Sequence, residues 1–178
     1  PQPWAIRDAG DVLCEGRELE RAQAVFGERI AAVLDAGGFA LALGGGHEIA
    51  WGSFVGLRAH LDRAAPGARL GILNFDAHFD LRESALGSTS GTPFRQVAAA
   101  CAERGAPFEY RVIGISPTAN SGALYDTAAA LGVAWIEDVD CAVRAASELE
   151  LLIEGLIERC DALWVSVCLD VFPASAAP

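Results

Sequence analysis

The sequence predicts an α/β domain of three layers, a mainly parallel sheet flanked by helices, over residues 1–178. Three observations predict it. Short apolar runs alternate with segments whose apolar residues recur at helical spacing. The linkers between them are short, as in strand–helix–strand crossovers of a parallel sheet. No internal repeat, low-complexity tract or inter-domain linker interrupts the alternation.

Residues 17–36 place Leu19, Ala22, Val25, Phe26, Ile30, Val33 and Leu34 on one helical face, and Gly37-Gly38 closes that helix. Phe39–Leu43 is a short apolar run and predicts a buried strand. Gly44-Gly45-Gly46 ends it, and HEIAWGSFVGLRAHL predicts the next helix. Pro66-Gly67 is a turn signal, and Leu70–Phe75 predicts a second buried strand. Residues 81–91 are polar and rich in Gly, Ser and Thr, which predicts a surface loop. A helix follows over TPFRQVAAACAERG, a strand over Arg111–Ile115, a helix over ALYDTAAALG and a strand over Val133–Ile136. Ser147–Cys160 predicts a helix and Leu163–Leu169 a last strand.

Composition narrows the function. The net charge of −11 argues against nucleic acid or an anionic membrane as partner. Mean hydropathy is +0.30, raised by alanine, yet no apolar run is as long as a membrane span. No signal-peptide pattern is visible. The five cysteines form no CxxC pair and no even framework, which predicts a reducing, cytoplasmic setting. There is no methionine, and the chain reads as a fragment incomplete at both ends.

The chemistry gathers where the predicted strands end, the place where open parallel sheets bind ligands. NFDAHFD leaves the second strand with Asp76, His78 and Asp80 at alternate positions. If the extended conformation continues, these three side chains share one face and form a chelating edge. A solvated loop would carry such charges too. Here, however, the acids emerge directly from a buried strand and need a partner to offset desolvation. LGGGHE presents His47 at a helix start, where Glu48 suits the helix dipole. Its glycines also suit a phosphate loop, but the lysine or further glycine of nucleotide loops is absent. VSVCLD ends the last strand with Asp170, and Cys168 two residues earlier on the same face. Alone, Asp170 reads as a cap and Cys168 as a small apolar side chain. Together, His47, Asp76, His78, Asp80 and Asp170, with Cys168 adjacent, form a mixed oxygen and imidazole set. Such a set favours Mn²⁺, Fe²⁺ or Zn²⁺ over Ca²⁺. It exceeds one tetrahedral site, so two metals sharing a carboxylate fit better. His60, in GLRAHLDR, reads as an ordinary surface or half-buried residue.

LGGGHE, NFDAHFDLR, SGTPF and VSVCLDVFPASAAP resemble the ureohydrolase (arginase/agmatinase) family through nearly the whole chain. DAGDV with CEG, GGGHEIAWGSF and SGTPFRQ are most similar to the branch that hydrolyses formimidoyl groups in histidine degradation. The resemblance implies an arginase-like fold, of which this chain is a central section. It also implies two Mn²⁺ ions, with His47 and Asp80 on one, His78 on the other and Asp76 bridging. Asp76 and Asp80 then frame the catalytic hydroxide site. The family's strand-end DxD supplies a bridging and a terminal aspartate. Here Cys168 stands in the first place and Asp170 in the second. A thiolate is softer than Mn²⁺ prefers, so two ions become one if Cys168 weakens the site.

The implied reaction is hydrolysis of N-formimidoyl-L-glutamate to L-glutamate and formamide. Arg82 is placed to hold the carboxylate of such a substrate bidentately, and Ser90 and Gly91 open the segment resembling the family's substrate loop. The family's shuttle histidine has no counterpart in PFRQ. The expected partner is a small-molecule substrate, with a homo-oligomer left open and neither nucleic acid nor membrane. Two other readings stand beside this one: an agmatinase-like guanidino hydrolase, and a non-catalytic, degenerate metal-binding fragment.

Overall fold

The computed structural model describes residues 5–16, 18–85, 87–141 and 146–177. Four strands, β1 Leu70–Phe75, β2 Glu109–Ile115, β3 Ala134–Glu137 and β4 Ala162–Val167, form one sheet in the order β3-β2-β1-β4. Every pair is parallel. The order reverses direction at β1, which is paired on both sides, by β2 and by β4.

The helices are α1 Leu19–Asp35, α2 Ile49–Ala64, α3 Pro93–Glu103, α4 Gly122–Ala130, α5 Asp138–Cys141 and α6 Ala146–Ile157. On one face Phe54 and Leu61 of α2, Phe94 and Val97 of α3 and Ala128 of α4 pack with Ile72, Tyr110 and Val112. On the other face, Leu156 of α6 is buried with Leu73 and Ile113. The period of two in β1 thus feeds both faces at once, and the three layers follow. Helices α1 and α2 cross at glycines: a Cβ on Gly56 would sit 2.2 Å from the Gly27 carbonyl oxygen. Gly114 takes φ +104° where the β2–β3 register shifts, and a Cβ there would strike Val171. That glycine lets the segment after β4 pass close to the sheet's carboxyl edge.

Three expectations need correction. Phe39–Leu43 is not a strand: the segment has no ladder partner among the described residues, and Phe39, Leu41 and Leu43 are exposed. Apolar composition alone cannot form a strand without a neighbour to complete its hydrogen bonds. The last strand stops at Val167, and Leu169–Val171 is a 3₁₀ turn. The extended path also ends at Phe75, with bends at residues 77–78. The short α5 was not expected, and residues 142–145, between α5 and α6, lie outside the described residues. No described helix is long and apolar enough to cross a membrane.

Candidate metal centre

Asp76 follows β1 and lies on the same side of the strand as Asn74, whose amide Nδ2 donates to Asp76 Oδ2 at 3.0 Å and contacts Tyr110 Oη at 3.0 Å. The chain then turns. The His78 backbone N–H donates to Asp76 Oδ1 at 2.8 Å, closing an Asx turn. Asn120 clamps this turn: its Nδ2 donates to the carbonyls of Ala77 and Ser116, and its Oδ1 accepts from Phe79 N–H. Phe79 is fully buried between Tyr125 and Trp135, with ring centroids 5.0 and 5.3 Å away. Asp80 has φ +50°, alone among the described non-glycine residues, and its carbonyl accepts from Phe94 and Arg95 at the start of α3. Aspartate tolerates this left-handed conformation better than most side chains. The convergence of Asp76, His78 and Asp80 is therefore made by a pinned turn, not by strand alternation.

His47 arrives from the glycine loop before α2. Its side chain is 8% exposed, and its ring stands edge-on to Phe94 at 5.4 Å. Nε2 lies 2.8 Å from Ser166 Oγ on β4. Nδ1 lies 2.8 Å from both Asp76 Oδ2 and Asp80 Oδ2. Neither approach has hydrogen-bond geometry, so among the described residues this buried nitrogen faces two carboxylates without a hydrogen bond to either. Burial opposes a charge on the imidazole, but the two carboxylates outweigh it and push its pKa up to about 12. Burial raises the pKa of Asp80 against the pull of His47.

The β4 end supplies the rest. Cys168, Asp76 and His47 each offer one ligand atom, and these atoms lie within 4.8 Å of one another. Asp76, His78 and Asp170 form a second such triad. Asp170 Oδ2 is 2.9 Å from His78 Nδ1, and Asp170 Oδ1 accepts from the Ala77 N–H at 3.3 Å. Burial works to raise the pKa of Asp170, but hydrogen bonds from Cys168 and Ala77 and the nearby His78 hold it below the usual carboxylate value. Burial raises the Cys168 thiol above its ordinary value.

The donor set fits divalent cations. Three carboxylates converge with two imidazoles and a thiol, a buried ring nitrogen points at two of the carboxylates, and no Lys or Arg among the described residues pairs with Asp76, Asp80 or Asp170. Carboxylates so placed demand a counter-charge. Asp76 belongs to both triads, one oxygen facing His47 and the other His78.

A cleft of about 490 Å³ opens over these groups, lined by Gly44–Gly46, His78, Asp80, Arg82, Ser90, Gly91 and Cys168–Asp170. Arg82 is exposed at its rim, makes no salt bridge among the described residues, and lies over Gly91, where a Cβ would meet its Cδ at 2.8 Å. A second cavity of the same volume lies near the amino end of β1. Its charges are already paired, Arg58 and Arg104 with Asp62 and Arg69 with Asp161. His60 pairs with Asp35 at 2.6 Å, and neither residue lines the cleft.

All nine residues singled out in the sequence line this cleft or its floor. Sequence reasoning missed Asn74, Tyr110, Asn120 and the contact of Ser166 with His47. The lone amide in the apolar run LGILNF was the available signal for Asn74. For Asn120 there was none, because the contacts by which it clamps residues 77–79 span 41 and 43 positions.

Comparison with known proteins agrees with this geometry. A model of the arginase family matches residues 1–178. The formimidoylglutamase of Hahella chejuensis is 46% identical over 99% of this chain and 55% of its own length. That of Ralstonia nicotianae is 49% identical over 98% of this chain and 54% of its own length. The crystal structure of Bacillus subtilis formimidoylglutamase superposes with a TM-score of 0.78 at 21% identity, covering 95% of this chain and 51% of that one. The chain thus spans about half the length of the curated relatives it matches.

Proposed function

The chain belongs to the arginase family, and on that footing we propose that it is the metal-binding part of a manganese-dependent hydrolase of N-formimidoyl-L-glutamate, releasing L-glutamate and formamide. The observation that carries the proposal is the pair of donor triads joined through Asp76. His47, Asp76, Asp80 and Cys168 would hold one ion, and Asp76, His78 and Asp170 the other. Mixed oxygen and imidazole donors support manganese. When bound, such a pair activates water at neutral pH and polarises the amidine carbon under attack.

This chain's own residues do the remainder. Arg82, without an acidic partner among the described residues, binds the substrate carboxylate as a planar fork. Ser90 and Gly91 line the cleft beside it, and Gly91 leaves room for the Arg82 side chain. Phe94 and Tyr110, stacked at 4.4 Å, exclude water beneath His47. Ser166 holds the imidazole through Nε2, leaving Nδ1 aimed at the carboxylates. The free cysteines and acidic charge suit a cytoplasmic enzyme.

The test is metal content with turnover. The whole protein purified with Mn²⁺ and dialysed should retain metal and release formamide from N-formimidoyl-L-glutamate. Agmatine, cationic and without a carboxylate, should be a poor substrate. Retained metal with preferred cleavage of agmatine would overturn the substrate assignment, and no retained metal would overturn the hydrolase.

A further inference from the structure

We propose that Cys168 makes the His47 side of the pair selective for a thiophilic divalent cation, Zn²⁺ or Co²⁺, while the Asp170 side keeps a manganese-type donor set. This rests on the reading that the two triads hold cations. The two triads differ in one atom type. On one side stand imidazole, carboxylate and thiol, and on the other imidazole and two carboxylates, each set within 4.8 Å. Sulfur donors select Zn²⁺ and related ions, whereas carboxylates suit Mn²⁺.

Two further observations separate the sides. Asp80 Oδ2 adjoins His47 Nδ1 at 2.8 Å and brings a fourth donor to the cysteine side. Four protein donors, one of them sulfur and one nitrogen, match the four-coordinate geometry that zinc takes. The other triad has three donors and an exposed Asp170, which leaves room for water and substrate. Nδ1 of His47, 2.8 Å from Asp76 and Asp80, becomes a donor when an ion takes the place of its proton. The pair would then hold unlike ions, one that anchors His47 and Asp80 and one that stays open.

The test is cobalt spectroscopy on the whole protein, stripped of metal, as wild type, Cys168→Ser and Cys168→Asp. Wild type should develop visible cobalt bands together with a near-ultraviolet thiolate-to-cobalt charge-transfer band. Both variants should keep visible bands and lose the charge-transfer band. In competition dialysis, Cys168→Asp should shift the Zn²⁺-to-Mn²⁺ occupancy ratio toward Mn²⁺ by about tenfold or more. Cobalt bands without charge transfer in wild type, or a charge-transfer band that survives in Cys168→Ser, would overturn this inference and leave the metal centre standing. Failure of wild type to take up either Co²⁺ or Mn²⁺ would overturn both. Because Cys168→Asp introduces a carboxylate of the kind already present at the site, it keeps the test open if the serine variant does not fold.

Discussion

The two strand ends that build the site differ sharply. β1 is paired on both sides, and all its residues except Phe75 are buried. The turn after it is tied by Asn74, Tyr110 and Asn120, and Asp76 and Phe79 are fully buried. β4 is paired only to β1, and its burial alternates. Val165 and Val167 are each about half exposed, 51% and 52%, and Asp170 is exposed. The difference teaches where the cost of the site lies. On the β1 side, carboxylates are desolvated and held rigidly, so a cation there meets preorganised donors. On the β4 side, Asp170 stands near water, and its replacement should disturb the fold less than a change in the turn after β1.

The comparison breaks most visibly under truncation of the packed rings. Phe79→Ala should cost about 3–5 kcal/mol, because it opens a cavity beside Tyr125 and Trp135 and loosens the turn. Val165→Ala, on the exposed strand, should cost about 0.5 kcal/mol or less. Urea midpoints of the two variants measure the contrast, and equal losses would erase it. Next comes the donor that both triads share. Asp76→Asn should weaken retention of both ions by more than about 100-fold, since altering even an outer partner of a ligand costs 10–100-fold. Asp170→Asn should release only one. Metal analysis after dialysis distinguishes them, and identical stoichiometry would show that Asp76 is not shared.

The smallest effect concerns the amino end of the same two strands, where Asp161 accepts hydrogen bonds from the side chain and backbone of Arg69. Those bonds lower its pKa from 3.8 to about 2. A depressed carboxylate pKa stabilises the fold above its unfolded value, and the contribution is lost as pH falls through the folded one. The contribution of Asp161 is therefore whole above pH 3.8 and disappears toward pH 2. Asp161→Asn should lower the melting temperature slightly at neutral pH, with the gap to wild type closing on acidification. A gap that stays constant through this window would show that the pair contributes through packing alone.

Much of this architecture is written locally. The apolar periods of α1 and α2, the runs at β1 and β2 and the punctuation by Gly37-Gly38 and Pro66-Gly67 all reflect interactions within a few residues. The placement of Asp76, His78 and Asp80 beyond β1 and of Asp170 beyond β4 follows from the same alternation, whereas His47 follows a segment that is not a strand. So does the chemistry of the donor set, because ligand preference depends on atom type and not on fold. Cys168 among carboxylates was likewise readable from the chain itself.

Tertiary structure decided what depends on distant partners. Phe39–Leu43 and Leu70–Leu73 look alike as sequence, yet the first is exposed and the second buried. Their difference is the presence of neighbouring strands, since a strand exists only when another chain segment completes its ladder. The left-handed turn at Asp80 and the clamp by Asn120 were equally invisible. So was the 2.8 Å approach of His47 to two carboxylates, which joins residues 29 and 33 positions apart. The sequence determined which atoms could bind a cation, because side-chain chemistry is local. Only the packed sheet decided that they meet, because convergence is a long-range property of the backbone.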